Sequence, residues 1–96
     1  MNTEIKAVHF SLGDEAKDHL EKKIKRIHNA ENMIVDILFT LTKGKDFSAE
    51  VTVNFRWGVS IHLKENDFEL VPAIDKLMDK LDVKIAKEKE KVKEKR

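Results

Sequence analysis

Val35 to Leu63 reads VDILFTLTKGKDFSAEVTVNFRWGVSIHL, and its period is two. Val35, Ile37, Phe39 and Leu41 alternate with Asp36, Leu38, Thr40 and Thr42. Lys43-Gly44-Lys45-Asp46 reads as a turn. Phe47, Ala49, Val51, Val53 and Phe55 then alternate with Ser48, Glu50, Thr52 and Asn54. Arg56-Trp57-Gly58 turns the chain again, and Val59, Ile61 and Leu63 alternate with Ser60, His62 and Lys64. Successive side chains on a strand point to opposite faces. Three such runs in a row therefore predict an antiparallel meander with one covered face and one wet face.

The period changes on both flanks. Upstream, Leu12, Ala16, Leu20, Ile24 and Ile27 recur every three or four residues, which marks one face of a helix. This helix is expected to run to about His28, with Asn29 to Asn32 as its exit. Its start is capped either by Ser11 with Asp14 or by Gly13. Ile5 to Phe10 before it reads as a short strand. Downstream, Glu65-Asn66-Asp67 ends the third run, and Pro72 sits where a first helical turn tolerates a missing N–H. Ile74, Leu77, Met78, Leu81 and Ile85 form a second helical stripe, continued by Val92. The order is β-α-β-β-β-α. This predicts an α+β fold, a four-stranded sheet with two roughly parallel helices on its apolar face.

The totals fit one domain, residues 1–96. The apolar share of 41% supports one modest core, not two. Charged residues make up 39%, yet the net charge is only +1, so the placement of charge matters more than its sum. No cysteine is present, which excludes disulfide and thiolate chemistry. Met1 to Lys6 lacks an apolar leader segment, and no run approaches the roughly 20 apolar residues of a membrane span. A cytoplasmic protein without membrane contact is expected.

The second helix sorts its charges. With Ile74 at zero on a wheel of about 100° per residue, Lys76, Lys80, Lys84, Lys87, Lys91 and Lys95 fall between about 200° and 300°. Asp75, Asp79 and Asp82 fall on the opposite flank, near about 80° to 140°, and the sorting holds through Lys87, beyond which Glu88, Glu90 and Glu94 mix with Lys89 and Lys93. In the first helix His19, Lys22, Lys23 and Arg26 share one flank. If the helices pack side by side and the two basic flanks join or line a groove, a near-neutral chain carries a strongly positive patch, suited to phosphates spaced along a backbone. The competing reading is a solvated surface held by weak i,i+4 pairs.

Other chemistry has little support. The four histidines, His9, His19, His28 and His62, show no metal-site spacing, so no metal or cofactor is expected. There is no phosphate loop and no nucleophile motif, and the sequence places no carboxylate in an apolar pocket, so no enzyme and no small-molecule substrate are expected. Trp57 beside Arg56 either stacks on a base or packs over the sheet edge.

Asp79-Lys80-Leu81, followed by Ile85, Lys87, Lys89 and Lys91, resembles the closing helix of the ribosome hibernation promoting factors, whose pattern is D-K-L-x-R-Q-[IL]-x-K-x-K-x-K. Glu69 to Asp75 looks like that family's D-M-Y-x-A-I-D. Ala49-Glu50-Val51 matches a recurrent A-E-V, and Glu21 to Ile27 is similar to E-K-K-L-x-K-L. The resemblance covers essentially the whole chain in order, and it is to the short form, the ribosome-associated inhibitor or protein Y family. It implies a double-stranded-RNA-binding-like fold without a C-terminal dimerisation domain. It also implies a monomer that binds the small ribosomal subunit and the 70S ribosome. The implied site is the decoding region, where basic helix residues contact 16S rRNA, exclude mRNA and tRNA, and inhibit translation in idle ribosomes. By position, Lys22, Lys23 and Arg26 match the basic residues of the first helix, and Lys80, Lys87, Lys89 and Lys91 those of the second. The wheel adds Lys76 and Lys84. The chain departs from the pattern at Val83, where arginine is usual, at Glu69 and Val71, and at Gly13, where a hydroxyl cap is usual. Lys93 to Arg96 are expected to add electrostatic reach. The alternative is a protein-interaction module, or a general double-stranded-RNA binder, unrelated to hibernation.

Overall fold

The computed structural model describes residues 1–94, with side chains through Lys91. The elements are β1 (Asn2–Val8), α1 (Asp14–Lys25), β2 (Ile34–Lys43), β3 (Phe47–Phe55), β4 (Ser60–Asp67) and α2 (Leu70–Glu94). A 3₁₀ segment, His28–Met33, leads from α1 into β2. The strands form one sheet in the order β1-β2-β3-β4. β1 runs parallel to β2, and the other neighbours are antiparallel. Parallel neighbours cannot be joined by a tight turn, so α1 is the crossover that this pair demands. The fold is the expected α+β, β-α-β-β-β-α.

One core joins the helices to the sheet. α1 contributes Leu20 and Ile24, and Ile27 follows just beyond its end. α2 contributes Ala73, Ile74, Leu77, Met78, Leu81 and Ile85, the stripe read from the sequence. From the sheet come Ile37, Phe39 and Leu41 of β2 and Ala49, Val51, Val53 and Phe55 of β3. Burying each large side chain contributes about 1.5–3 kcal/mol, so this layer supplies most of the drive to fold. α2 lies over β3 and β4, with α1 beside it.

Local departures have local causes. The alternation in β2 slips between Ile34 and Asp36, where the pairing with β3 is irregular. Ile34 is fully buried and Val35 is 44% exposed, the reverse of the simple alternation. A bulge places one extra residue on a strand and so exchanges the two faces on one side of it. β1 ends at Val8 because His9 adopts φ 66°, the left-handed region, which breaks the ladder. Phe10 thus leaves the strand and packs edge-on against Phe47, with ring centroids 5.5 Å apart. Gly13, not Ser11, caps α1, and no side chain takes part. Gly58 holds φ 86° in the turn between β3 and β4, a conformation that side chains resist.

β4 is an edge strand and is only half covered. Ile61 and Leu63 pack partly against the core, while Val59 stays 37% exposed. On the same face, Glu65 and Asp67 point inward under α2, with only 19% and 22% of their side chains exposed. Inward-pointing charge on an edge strand discourages pairing with a second chain.

Candidate nucleic-acid interface

The two helices present opposite charges to each other. His19 Nε2 donates to Asp75 Oδ1 at 2.7 Å, and Arg26 Nη2 donates to Asp82 Oδ2 at 2.9 Å. Lys23 Nζ stands 3.7 Å from the same Asp75 oxygen. Both hydrogen-bonded pairs are separated by 56 residues in sequence. A constant difference means parallel helices, since antiparallel ones would conserve the sum. The basic flank of α1 therefore meets the acidic flank of α2. The two basic flanks do not join into one patch, which corrects the first of the two expected arrangements. A helix wheel sorts signs but does not say which flank faces the neighbour. These partly exposed pairs are worth about 0–1 kcal/mol each. Their effect is to neutralise Lys23 and Arg26 locally.

The first two lysines on the other flank of α2 are also occupied. Lys76 Nζ lies 2.7 Å from Asp67 Oδ2, and Lys80 pairs with Glu65. Asp67 also accepts the Glu69 backbone N–H at 3.0 Å. That backbone bond, and then the bond from Lys76, hold the Asp67 carboxyl below its ordinary range. The same bond to Asp67 raises the Lys76 ammonium above its ordinary value. Lys76 and Lys80 thus reach the β4 side of α2, opposite α1.

Beyond Leu81 the pattern changes. Among the described residues, Lys22, Lys84, Lys87 and Lys89 have no carboxylate within ion-pair distance, and all four are exposed. Lys91 lies 3.5 Å from Glu88, a weak pair. Lys84, Lys87 and Lys91 continue the flank begun by Lys76 and Lys80. Val83, where the resembling family carries arginine, is 54% exposed and lines a shallow groove with Lys80, Lys84 and Leu63. Lys89 belongs elsewhere. Seven residues, or two turns, separate it from Asp82, so it sits on the flank facing α1. There it borders a groove of about 400 Å³ with Arg26, Asn29 and Asp82, floored by Ile27, Ala30 and Ile85. The expected reach from Lys93 to Arg96 lies outside the described side chains.

Several residues of this region escaped the sequence reading. Glu65 and Asp67 were read as a strand end, yet their alternation with Ile61 and Leu63 marks them as inward-facing. Asn29 was read as a helix exit and lines the groove. Glu88 is 8% exposed and occupies the place on α2 where the apolar stripe would continue from Ile85.

The remaining candidates are accounted for on the sheet. Trp57 stacks on Phe55 at 5.2 Å with an 18° interplanar angle, so one face of the indole packs at the sheet. On the wet face His62 contacts Thr52 and Glu50, and Lys64 also reaches Glu50. Asn54 links Asp36 to Ser60. Among the described residues no cluster of three or more His, Cys, Asp or Glu side chains could hold a metal ion. Among them, too, no helix is long and apolar enough to cross a membrane.

Residues 3–93 match the family model described as Sigma 54 modulation protein / S30EA ribosomal protein. Two solved structures share the fold. The Thermus thermophilus Protein Y N-terminal domain is 24% identical, with 88% of this chain and 96% of that one covered and a TM-score of 0.76. A ribosomal subunit interface protein from Coxiella burnetii is 21% identical, with 93% and 98% covered and a TM-score of 0.83. No curated protein matches the chain.

Proposed function

The chain belongs to the Sigma 54 modulation protein / S30EA ribosomal protein family, whose members are ribosome-associated and not enzymes, and from that membership we propose that it is a hibernation factor. It binds the small ribosomal subunit at the decoding region, contacts 16S rRNA phosphates, and excludes mRNA and tRNA by its volume. Translation in idle ribosomes is thereby inhibited. The domain acts as a monomer off the ribosome, in the cytoplasm.

The observation that carries this reading is the lysine row on the C-terminal half of α2. Lys84, Lys87 and Lys91 follow one another at one-turn spacing, about 5 Å apart along the axis. That spacing suits successive phosphates of an RNA strand. Lys84 and Lys87 have no carboxylate within ion-pair distance among the described residues, so their charge is free to displace condensed counterions. Lys22 extends the positive surface from α1. The near-zero net charge is no obstacle, because Asp75 and Asp82 are engaged between α1 and α2, and Glu65 and Asp67 beneath Lys76 and Lys80.

The test is co-sedimentation of the purified protein with small subunits and with 70S ribosomes across a salt series. The double reversal Lys84→Glu with Lys87→Glu runs alongside. Stoichiometric binding that weakens with salt, and is lost in the double variant, is the expected result. Absence of binding at low salt would overturn the proposal.

A further inference from the structure

The groove between the end of α1 and α2 has a different composition from the lysine row. Its floor is apolar, made by Ile27, Ala30 and Ile85, and its volume is about 400 Å³. That falls at the lower end of the about 300–1,000 Å³ typical of small-ligand sites. Polar groups stand only on its rim. Arg26 is held there by its 2.9 Å bond to Asp82. The pair neutralises the carboxylate and fixes one edge of the guanidinium, and the planar faces of the guanidinium are not used by that bond. Asn29 offers both a donor and an acceptor. Lys89 has no carboxylate within ion-pair distance among the described residues. The net charge of Arg26, Asp82 and Lys89 is +1.

These features suit a flat, partly polar group attached to an anion. A bare phosphate would leave the apolar floor unused. An aliphatic side chain would leave Asn29 and Lys89 unused. A duplex keeps its bases stacked and could not lower one into a concave site. Proteins that read single-stranded RNA stack unpaired bases on aromatic or guanidinium planes and bind their polar edges. We infer that this groove holds one unstacked nucleobase of single-stranded RNA. The base lies over the Ile27–Ile85 floor against the Arg26 guanidinium, Asn29 meets its edge, and Lys89 takes the adjoining phosphate. Arg26 is thus a base platform, not one more phosphate contact. Lys89 is separated in role from Lys84 and Lys87. The inference rests on the proposed function only in taking RNA as the ligand.

The test compares two probes on the full chain by ¹H–¹⁵N NMR: single-stranded tetra-adenylate and an abasic tetranucleotide with the same phosphates. Tetra-adenylate is expected to move the amides of Asn29, Ala30 and Ala86. The abasic strand is expected to move amides along Lys84 and Lys87 and to bind about fivefold or more weakly, the loss of one stacked base. Arg26→Lys keeps the charge and removes the plane. It should erase the difference between the probes. Ala86 also lines the groove, so Ala86→Leu fills it from an exposed helical position and should do the same, with the amide spectrum reporting the fold. Equal affinity for both probes overturns the inference. So does absence of shifts at Asn29, Ala30 and Ala86 with millimolar tetra-adenylate, or an unaltered preference in Arg26→Lys. Ribosome co-sedimentation of wild type, run in parallel, decides the wider reading separately, because the lysine row does not depend on the groove.

Discussion

The division of α2 lysines into engaged and free ones is open to a charge-balanced test. Replacing Lys76 and Asp67 by Gln and Asn, and Lys80 and Glu65 both by Gln, excises two ion pairs and leaves the net charge unchanged. Each pair is a compact dipole, and its field fades well within a Debye length of about 8 Å at physiological ionic strength. Small-subunit affinity should therefore stay within about twofold, with the salt slope unchanged. Lys84→Gln with Lys87→Gln removes two free cations instead. Each lost phosphate contact lowers the slope of log K against log salt by about 0.7–0.9, so the double variant should flatten it by about 1.4–1.8. At 4 Å in water each contact is worth about 1 kcal/mol, so affinity should fall by about thirtyfold near physiological salt. Dissociation constants from anisotropy of a labelled chain, measured from about 50 to 200 mM salt, separate the cases. In that range the deficit of the double variant should shrink by about tenfold. The refuting result is a flattened slope in the excision variant. It would mean that Lys76 and Lys80 leave Asp67 and Glu65 for phosphate on the ribosome, and that the free chain's pairing does not select the contacts.

Further outcomes follow from the fold. Gly58→Ala must hold a side chain at φ 86°, which costs about 1–2 kcal/mol, a loss of several degrees in Tm measured by circular dichroism, with ribosome binding intact. Ile34→Ala should cost about 2–5 kcal/mol in urea unfolding, while Val35→Ala should stay within about 0.5 kcal/mol; the reverse order would refute the bulge. The Asp67–Lys76 pair sets a pH window. Asp67 is lowered in the fold, so its contribution is present above about 3.9 and is lost as pH falls through the folded value. Lys76 is raised, so its contribution is present below about 10.4 and is lost as pH rises through the folded value. The stability difference between wild type and Asp67→Asn should accordingly be largest between these limits, close at the acid end, and narrow at the alkaline end to the part held by the Glu69 N–H, as read by denaturant titration over pH.

The fold was legible because each element carries one clean period. The stripe from Ile74 to Ile85 and the alternation from Phe47 to Phe55 both pack as read. The sequence was silent where one residue decides geometry. Nothing in Met33-Ile34-Val35 marks the bulge, because three apolar residues in a row fit either face. His9 shows its left-handed backbone only once the chain must leave β1. The candidate site was legible as a set of cations and illegible as a surface. Sequence sorts Lys76 to Lys91 from Asp75 to Asp82, but only packing reveals that Asp75 and Asp82 meet the first helix and that Glu65 and Asp67 meet the second.

That packing suggests what the acids are for. In a chain with charges of both signs in nearly equal number, a positive surface cannot be made by surplus; it must be made by placement. Asp75 and Asp82 lie in the seam between helices, where they fix the parallel register and draw Lys23 and Arg26 inward. Glu65 and Asp67 lie under α2, where they protect the β4 edge and orient Lys76 and Lys80. Each carboxylate so engaged is withheld from Lys84 and Lys87. Moving one acid into that row, as in Val83→Glu, leaves the core untouched because Val83 is exposed. It places a carboxylate one residue from Lys84 and one turn from Lys80 and Lys87. By i,i+4 pairing it should capture Lys87 for about 0.2–0.5 kcal/mol in helix stability, offset by a like-charge pair of similar size with Asp79 on the preceding turn. Ribosome affinity should fall by about fivefold or more as one phosphate contact is lost. A Val83→Glu chain that is as stable or more stable, yet binds small subunits more weakly, would separate the two uses of charge in this fold. Unchanged binding would place the RNA contact elsewhere than on the outer flank of α2.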